Sequence, residues 1–284
     1  MSEDHVYMSL VEDHGEDDTR WAFGTGFEDP LHGIDTTVPD GIDTTQLAAY
    51  CLALGDDALV LAQRLAQWCT AAPELEIELG LANLGLDLIG QARMLYTRAG
   101  QIDGTTRGED AYAYLREPDQ FRNVRLAELP NGDFAFTIAR LLIFSTWRLS
   151  LFEHLAGTPD PVLAAIAAKG VKELTYHREF AAEWTLRLGD GTALSRRKMQ
   201  HGLDHAAAYT DELFTPHSTY DPEPVDIRGQ VEDVLRHVLD TAKLTTPTTA
   251  PSPGSGREGQ HTEHLAPLLT ELQSEARADP EATW

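Results

Sequence analysis

Lys172-Glu173-Leu174-Thr175-Tyr176-His177 lies in a long amphipathic stretch that runs from Pro161 to about Leu188. A helical bundle that holds two iron ions takes Glu and His three residues apart on one helix and repeats that pair on another, with one Glu from each of the two remaining helices. Glu173 and His177 are four apart, which still places them on one helix face. The second stretch that could answer them, Leu81-Ala82-Asn83-Leu84-Gly85-Leu86-Asp87-Leu88-Ile89-Gly90-Gln91, offers Asp87 with Gly90 where the histidine would stand. The helical spacing invites a metal, and the ligand set is one histidine short.

Outward from these two segments the pattern is helical throughout. Leu47, Leu54, Ala58, Leu61, Leu65 and Trp68 recur at helical spacing and predict a first helix over about 45–68. Pro73, Glu74 and Glu76 suit the amino end of a second helix, and Gly100 its carboxyl end. That helix has two apolar stripes, Leu75, Leu79, Ala82, Leu86 and Ile89 on one side and Leu81, Leu84 and Leu88 on another, so it is expected to be buried between neighbours. Residues 101–130 read as a long connection with a short helix at about 111–116. Asn131-Gly132-Asp133 caps a third helix from Phe134 to Phe152, nearly all apolar apart from Arg140 and Arg148. Such a helix needs burial beyond one four-helix layer. Thr158-Pro159-Asp160-Pro161 opens the fourth helix, and the turn Gly189-Asp190-Gly191-Thr192 leads to a fifth from about Leu194 to Phe214. A sixth spans about 227–244, a Pro/Ser/Gly-rich linker about 245–260, and a last helix about 267–278. Four long helices with short turns in the first and second pairs and one long crossover between the pairs predict an all-α, ferritin-like four-helix bundle with additional C-terminal helices. Residues 46–284 form that domain, and residues 1–45 form an acidic arm, extended or disordered, which Trp21, Phe23 and Phe27 could dock.

Charge narrows the partners. The 284 residues carry 22 basic and 46 acidic side chains, a net charge of −24. Residues 1–45 hold 12 acids and one base, Arg20, hence −11. The other 34 acids and 21 bases leave −13 for the rest. Such a surface repels phosphate backbones and anionic lipid, which argues against nucleic acid and membrane. Charged residues interrupt every helix, and the acidic start is no secretory leader. Cys51 and Cys69 sit on one helix, and 18 residues at ~1.5 Å each separate them by roughly 27 Å, too far for a disulfide. Both are expected to be reduced and buried, in keeping with the cytoplasm.

Four side chains form the candidate site: Asp57 on the first helix, Asp87 on the second, and Glu173 and His177 on the fourth. The third helix has no carboxylate before Glu153 at its far end. A di-iron centre needs about four carboxylates and two histidines, so the expected role is a vestigial interior polar cluster, with no catalytic and no metal-binding residue. Mutual neutralisation is what buried charges require. His201 and His205 have zinc-pair spacing but no third ligand. His261-Thr262-Glu263-His264 precedes an apolar helix, so Thr262 is expected to cap it with Glu263 in its first turn. No phosphate loop, Cys-x-x-Cys pair or nucleophile elbow is present.

Several segments together resemble the PaaC family. They are Gly55-Asp56-Asp57-Ala58-Leu59-Val60-Leu61, Leu81 through Arg93, Pro130-Asn131-Gly132-Asp133-Phe134, Ala167-Ala168-Lys169 with Lys172-Glu173 and Tyr176-His177, and Arg187-Leu188-Gly189-Asp190-Gly191-Thr192. His261-Thr262-Glu263-His264-Leu265, Leu268-Leu269, Glu271, Gln273, Arg277, Pro280 and Trp284 complete the match, which runs from about 46 to 284. The resemblance implies the structural, non-catalytic subunit of the multicomponent phenylacetyl-CoA oxygenase, a ring 1,2-epoxidase of aerobic phenylacetate degradation. It implies a ferritin-like fold, no cofactor in this chain, and di-iron in a PaaA-type catalytic partner. A separate reductase would supply electrons from NADPH. The arm over 1–45 lies outside the family pattern, residues 215–260 are shorter and richer in proline, and Glu281 stands where the pattern has Gly. The competing expectation is a stand-alone ferritin-like oxidase that uses Asp57, Asp87, Glu173 and His177 with a metal.

Overall fold

The computed structural model describes residue 31, residues 33–220 and residues 224–279. The chain divides into two units, Met1–Gly33 and Ile34–Trp284, and the described helices all belong to the second. Trp21, Phe23, Phe27, Pro280, Glu281 and Trp284 lie outside the described residues, as does most of the expected acidic arm.

Four long helices make the bundle: α1 (Thr44–Ala66), α2 (Leu75–Ile102), α5 (Phe134–Leu155) and α6 (Pro161–Asp190). The crossover between α2 and α5 contains α3 (Glu109–Tyr114), a tight 3₁₀ turn (Pro118–Gln120) and α4 (Arg125–Glu128). Then come α7 (Ala193–Ala207), a second such turn (Asp211–Phe214), α8 (Pro224–Thr241), a third (Gly256–Glu258), α9 (Leu265–Leu272) and α10 (Ser274–Ala278). Among the described residues there is no strand. The chain directions follow from which residues meet. Tyr96 reaches Asp56 while Gly85 lies by Leu65, Phe152 lies against Gly170 while Phe134 meets Trp184, Arg148 reaches Leu54 while Thr137 meets Trp68 just past α1, and Asp87 meets His177 while Gln91 meets Glu173. Each of these pairs is therefore antiparallel, which is the up-down-down-up order of a ferritin-like bundle.

Local chemistry sets the helix starts. Asp43 caps α1 by accepting from the Thr45 and Gln46 amides, Asp133 caps α5 through Phe136, and Asp160 caps α6 through Leu163 ahead of Pro161. Gly170 permits the close approach of α5 and α6, since a Cβ there would stand 2.6 Å from the Phe152 ring.

The near-continuous apolar sequence of α5 is buried on all sides. Ala135, Ile138 and Ala139 pack with Met199 and Leu203 of α7 and with Leu239, Ala242 and Leu244 at and beyond the end of α8. The extra layer expected for this helix comes from the same chain. By length and composition α1 and α5 match membrane spans, contrary to the expectation that charge interrupts every helix, yet most of each is buried in the bundle.

Four sequence expectations need correction. The stripe Leu75, Leu79, Leu86 and Ile89 is not buried between neighbours; these residues are 65%, 56%, 61% and 38% exposed. Periodicity reports that a face is apolar and not what covers it. Cys69 is exposed, because the chain has already left α1 at Ala66; Cys51 is buried. The fifth helix ends at Ala207, and the tight turn Asp211–Phe214 follows it. Thr262 does not cap α9, which starts at Leu265 after His264, without a side-chain cap. Thr262 is drawn toward Glu128: its amide donates to that carboxylate.

Candidate functional site

All four bundle helices contribute to one buried polar chain at mid-height. Arg148 of α5 is fully buried. Its Nε donates to Gln91 Oε1 of α2 at 3.0 Å, and its Nη2 to the Leu54 carbonyl of α1 at 3.1 Å. Its Nη1 lies 3.6 Å from Asp57 Oδ2, and its guanidinium sits over the Phe152 ring, 4.4 Å from the centroid. Gln91 Nε2 in turn donates to Glu173 Oε2 of α6 at 2.9 Å, and Lys169 Nζ donates to the other oxygen of Glu173.

Asp57 has a second cation. Arg257, in the tight turn before α9, donates to both carboxylate oxygens at 3.0 and 2.6 Å, and the Val124 amide donates at 2.8 Å. Burial and the nearby Arg257, set against Asp57, push Arg148 down to about 10, so it remains a cation at neutral pH.

The four predicted site residues are thus divided. Asp57 is fully buried and reaches Glu173 only through Arg148 and Gln91. His177 and Asp87 form a separate pair, Nε2 to Oδ2 at 3.0 Å, one helical turn along. His177 is buried, whereas the Asp87 side chain is 37% exposed. Residues four apart align on both helices, Asp87 with Gln91 and Glu173 with His177, which is why two rungs form between α2 and α6.

A ferritin-like bundle implies a di-iron site, and these residues do not fit one. The space between the helices where carboxylates would converge holds a guanidinium, which repels a metal cation. The α5 helix offers no inward carboxylate, since Glu153 is exposed. Among the described residues, no three His, Cys, Asp or Glu side chains are grouped to hold a metal ion. His201 is exposed, and His205 stacks on Phe136 with ring centroids 4.8 Å apart. Burial, with His201 and His264 nearby, lowers the pKa of His205.

Sequence reasoning missed the buried ion pairs that tie the crossover to α1 and to the later segments, and α2 to the start of α6. Asp56 accepts from Tyr96, from Arg116 and from the Arg122 amide. Arg116 lies 4.1 Å from the Phe121 ring centroid. Glu128 accepts from Asn123 and from the Thr262 amide, and it meets His261 Nδ1 at 2.9 Å. The other His261 nitrogen is 2.9 Å from the Phe121 carbonyl oxygen. Both ring nitrogens therefore face acceptors, an arrangement that the doubly protonated imidazolium satisfies. Burial opposes that charge, but Glu128 and the carbonyl outweigh it and raise the pKa of His261. Glu212 binds Arg125 and the Gly256 amide, and Arg98 pairs with Asp160. The available signal was arginine inside apolar stretches: buried Arg must find oxygen acceptors. Arg140 finds the Leu129 carbonyl and the Asn131 side chain, while burial and Arg64 push it down to about 9.

Residues 35–284 match the family model described as phenylacetic acid catabolic protein, PaaA_PaaC. The C subunit of 1,2-phenylacetyl-CoA epoxidase from Escherichia coli (strain K12) is 43% identical over 253 residues, which cover 84% of this chain and 99% of that protein. The chain belongs to the phenylacetic acid catabolic protein family, as a member of its PaaC branch.

Proposed function

We propose that this chain is the structural, non-catalytic subunit of a phenylacetyl-CoA 1,2-epoxidase in aerobic phenylacetate degradation. It pairs with a PaaA-type catalytic subunit, stabilises it, and carries no cofactor of its own; the di-iron centre belongs to that companion, and a reductase completes the system. The observation that carries this is Arg148: a buried guanidinium bonded to Gln91 and set beside Asp57 occupies the middle of the bundle. The Escherichia coli relative is named as one subunit of an epoxidase, which supports the pairing. Two free cysteines fit a reducing cytoplasm. A fixed cation there supplies the charge balance that a metal would give to inward carboxylates.

Iron analysis of the chain purified alone tests this. The expected result is no stoichiometric iron, and iron that follows the companion when the two are purified together. Two irons per chain with the absorption band of an oxidised di-iron centre, and activity lost on His177→Ala, would establish the stand-alone oxidase.

A further inference from the structure

On α2, residues 75, 79, 82, 86, 89 and 93 follow one another in steps of four and three, the spacing of a coiled-coil seam. Leu75, Leu79, Leu86 and Ile89 on that line are all substantially exposed. Single exposed leucines are ordinary, whereas four aligned along a 28-residue helix form a strip that another helix can cover. The same helix buries Leu81, Leu84 and Leu88 on its opposite side, so the bundle does not need the strip for its own core.

We infer that this strip is the docking face for a helix of the companion subunit, running antiparallel to α2. The inference rests on the pairing proposed above and assigns it a surface. Charge selects the occupant. Glu74 and Glu76 are exposed at the amino end of the strip and make no ion pair among the described residues. Arg93, at the other end, is already paired with Glu109. An antiparallel second copy would set against Glu74 and Glu76 only Arg93, which Glu109 already holds, since α2 has no base in its last turn, and each copy carries −13 from residue 46 onward, from 34 acids and 21 bases. A companion helix that is apolar at matching positions, with Lys or Arg in its last turn, meets Glu74 and Glu76 and opposes the macrodipole of α2.

The experiment uses the full chain and its di-iron companion. L79E/L86E places charge within the strip and is expected to weaken companion binding at least about 100-fold. The melting temperature of the isolated variant stays that of wild type, because both side chains are exposed in the free chain. E76K weakens binding by a smaller factor, about 3- to 10-fold. On wild type, companion binding slows amide exchange over 75–93. Full binding by L79E/L86E would overturn the assigned face and leave the pairing itself intact. A wild-type chain that never binds the companion would overturn both. Self-association of wild type that L79E/L86E abolishes, with companion binding unchanged, would give the strip to a second copy and overturn this assignment.

Discussion

Replacing Arg148 with Met keeps an unbranched apolar stem and removes the guanidinium, including its contact with the Phe152 ring. Removing one partner of a buried ion pair costs about 3–5 kcal/mol. The low end applies here, because Asp57 keeps Arg257 and the Val124 amide. Gln91 Oε1 also loses its donor, at about 1–3 kcal/mol, whereas the Leu54 carbonyl stays within the hydrogen-bonded turns of α1. Against this, the variant no longer buries a cation whose pKa is driven down to about 10, which returns roughly 3 kcal/mol. The net loss is about 1–3 kcal/mol, and for a chain of this size it lowers Tm by about 2–6 °C. Arg148→Lys keeps the charge but not the fork that reaches two neighbouring helices, so about half the loss remains. Urea unfolding of the purified full chain, followed by circular dichroism, measures both variants. A shift below about 0.5 kcal/mol for Arg148→Met would mean that the guanidinium does not organise the bundle interior.

Two further outcomes follow from the same interior. His261 has its pKa raised in the folded protein, above the ordinary 6.5. Its contribution to stability is therefore fully present below about pH 6.5 and is lost as pH rises through the raised value. His261→Gln should remove that slope from a stability-versus-pH series, and an unchanged slope would assign it to another group. Gly170→Ala sets a methyl against Phe152, with Gln91 Nε2 3.5 Å away, and should cost about 1–3 kcal/mol in thermal melts; an unchanged melt would show that α5 and α6 separate freely.

The buried cations also give the inward carboxylates of this four-helix frame a charge balance of the kind a metal would supply. Inward carboxylates such as Asp57 need positive charge close by in a medium of low dielectric. Arg148 and Arg257 supply it to Asp57, and Lys169 supplies it to Glu173. Arginine cannot lose its proton at physiological pH, so the compensation is permanent.

Particular residues show how far the sequence was legible. Asp133 and Asp160 announced their helices because capping is a contact between neighbours in the chain. Leu75 and Leu86 misled, since an apolar stripe is equally consistent with a core and with a docking face. Asp57, Asp87, Glu173 and His177 were found from their types and spacing, but Arg148, Gln91 and Arg257, which decide what those residues touch, were not named with them.

The amino-acid order alone determined the helical class, the long crossover and the shortage of histidines, because hydrophobic period, capping and ligand spacing are properties of nearby residues. Only tertiary structure decided that a guanidinium from one helix would lie between side chains of two others. It also decided that a histidine in the tail would close on a carboxylate 133 residues earlier in the chain. Those contacts join residues far apart in sequence, and the free energy that selects them is that of burying charge, which depends on what surrounds each group in space.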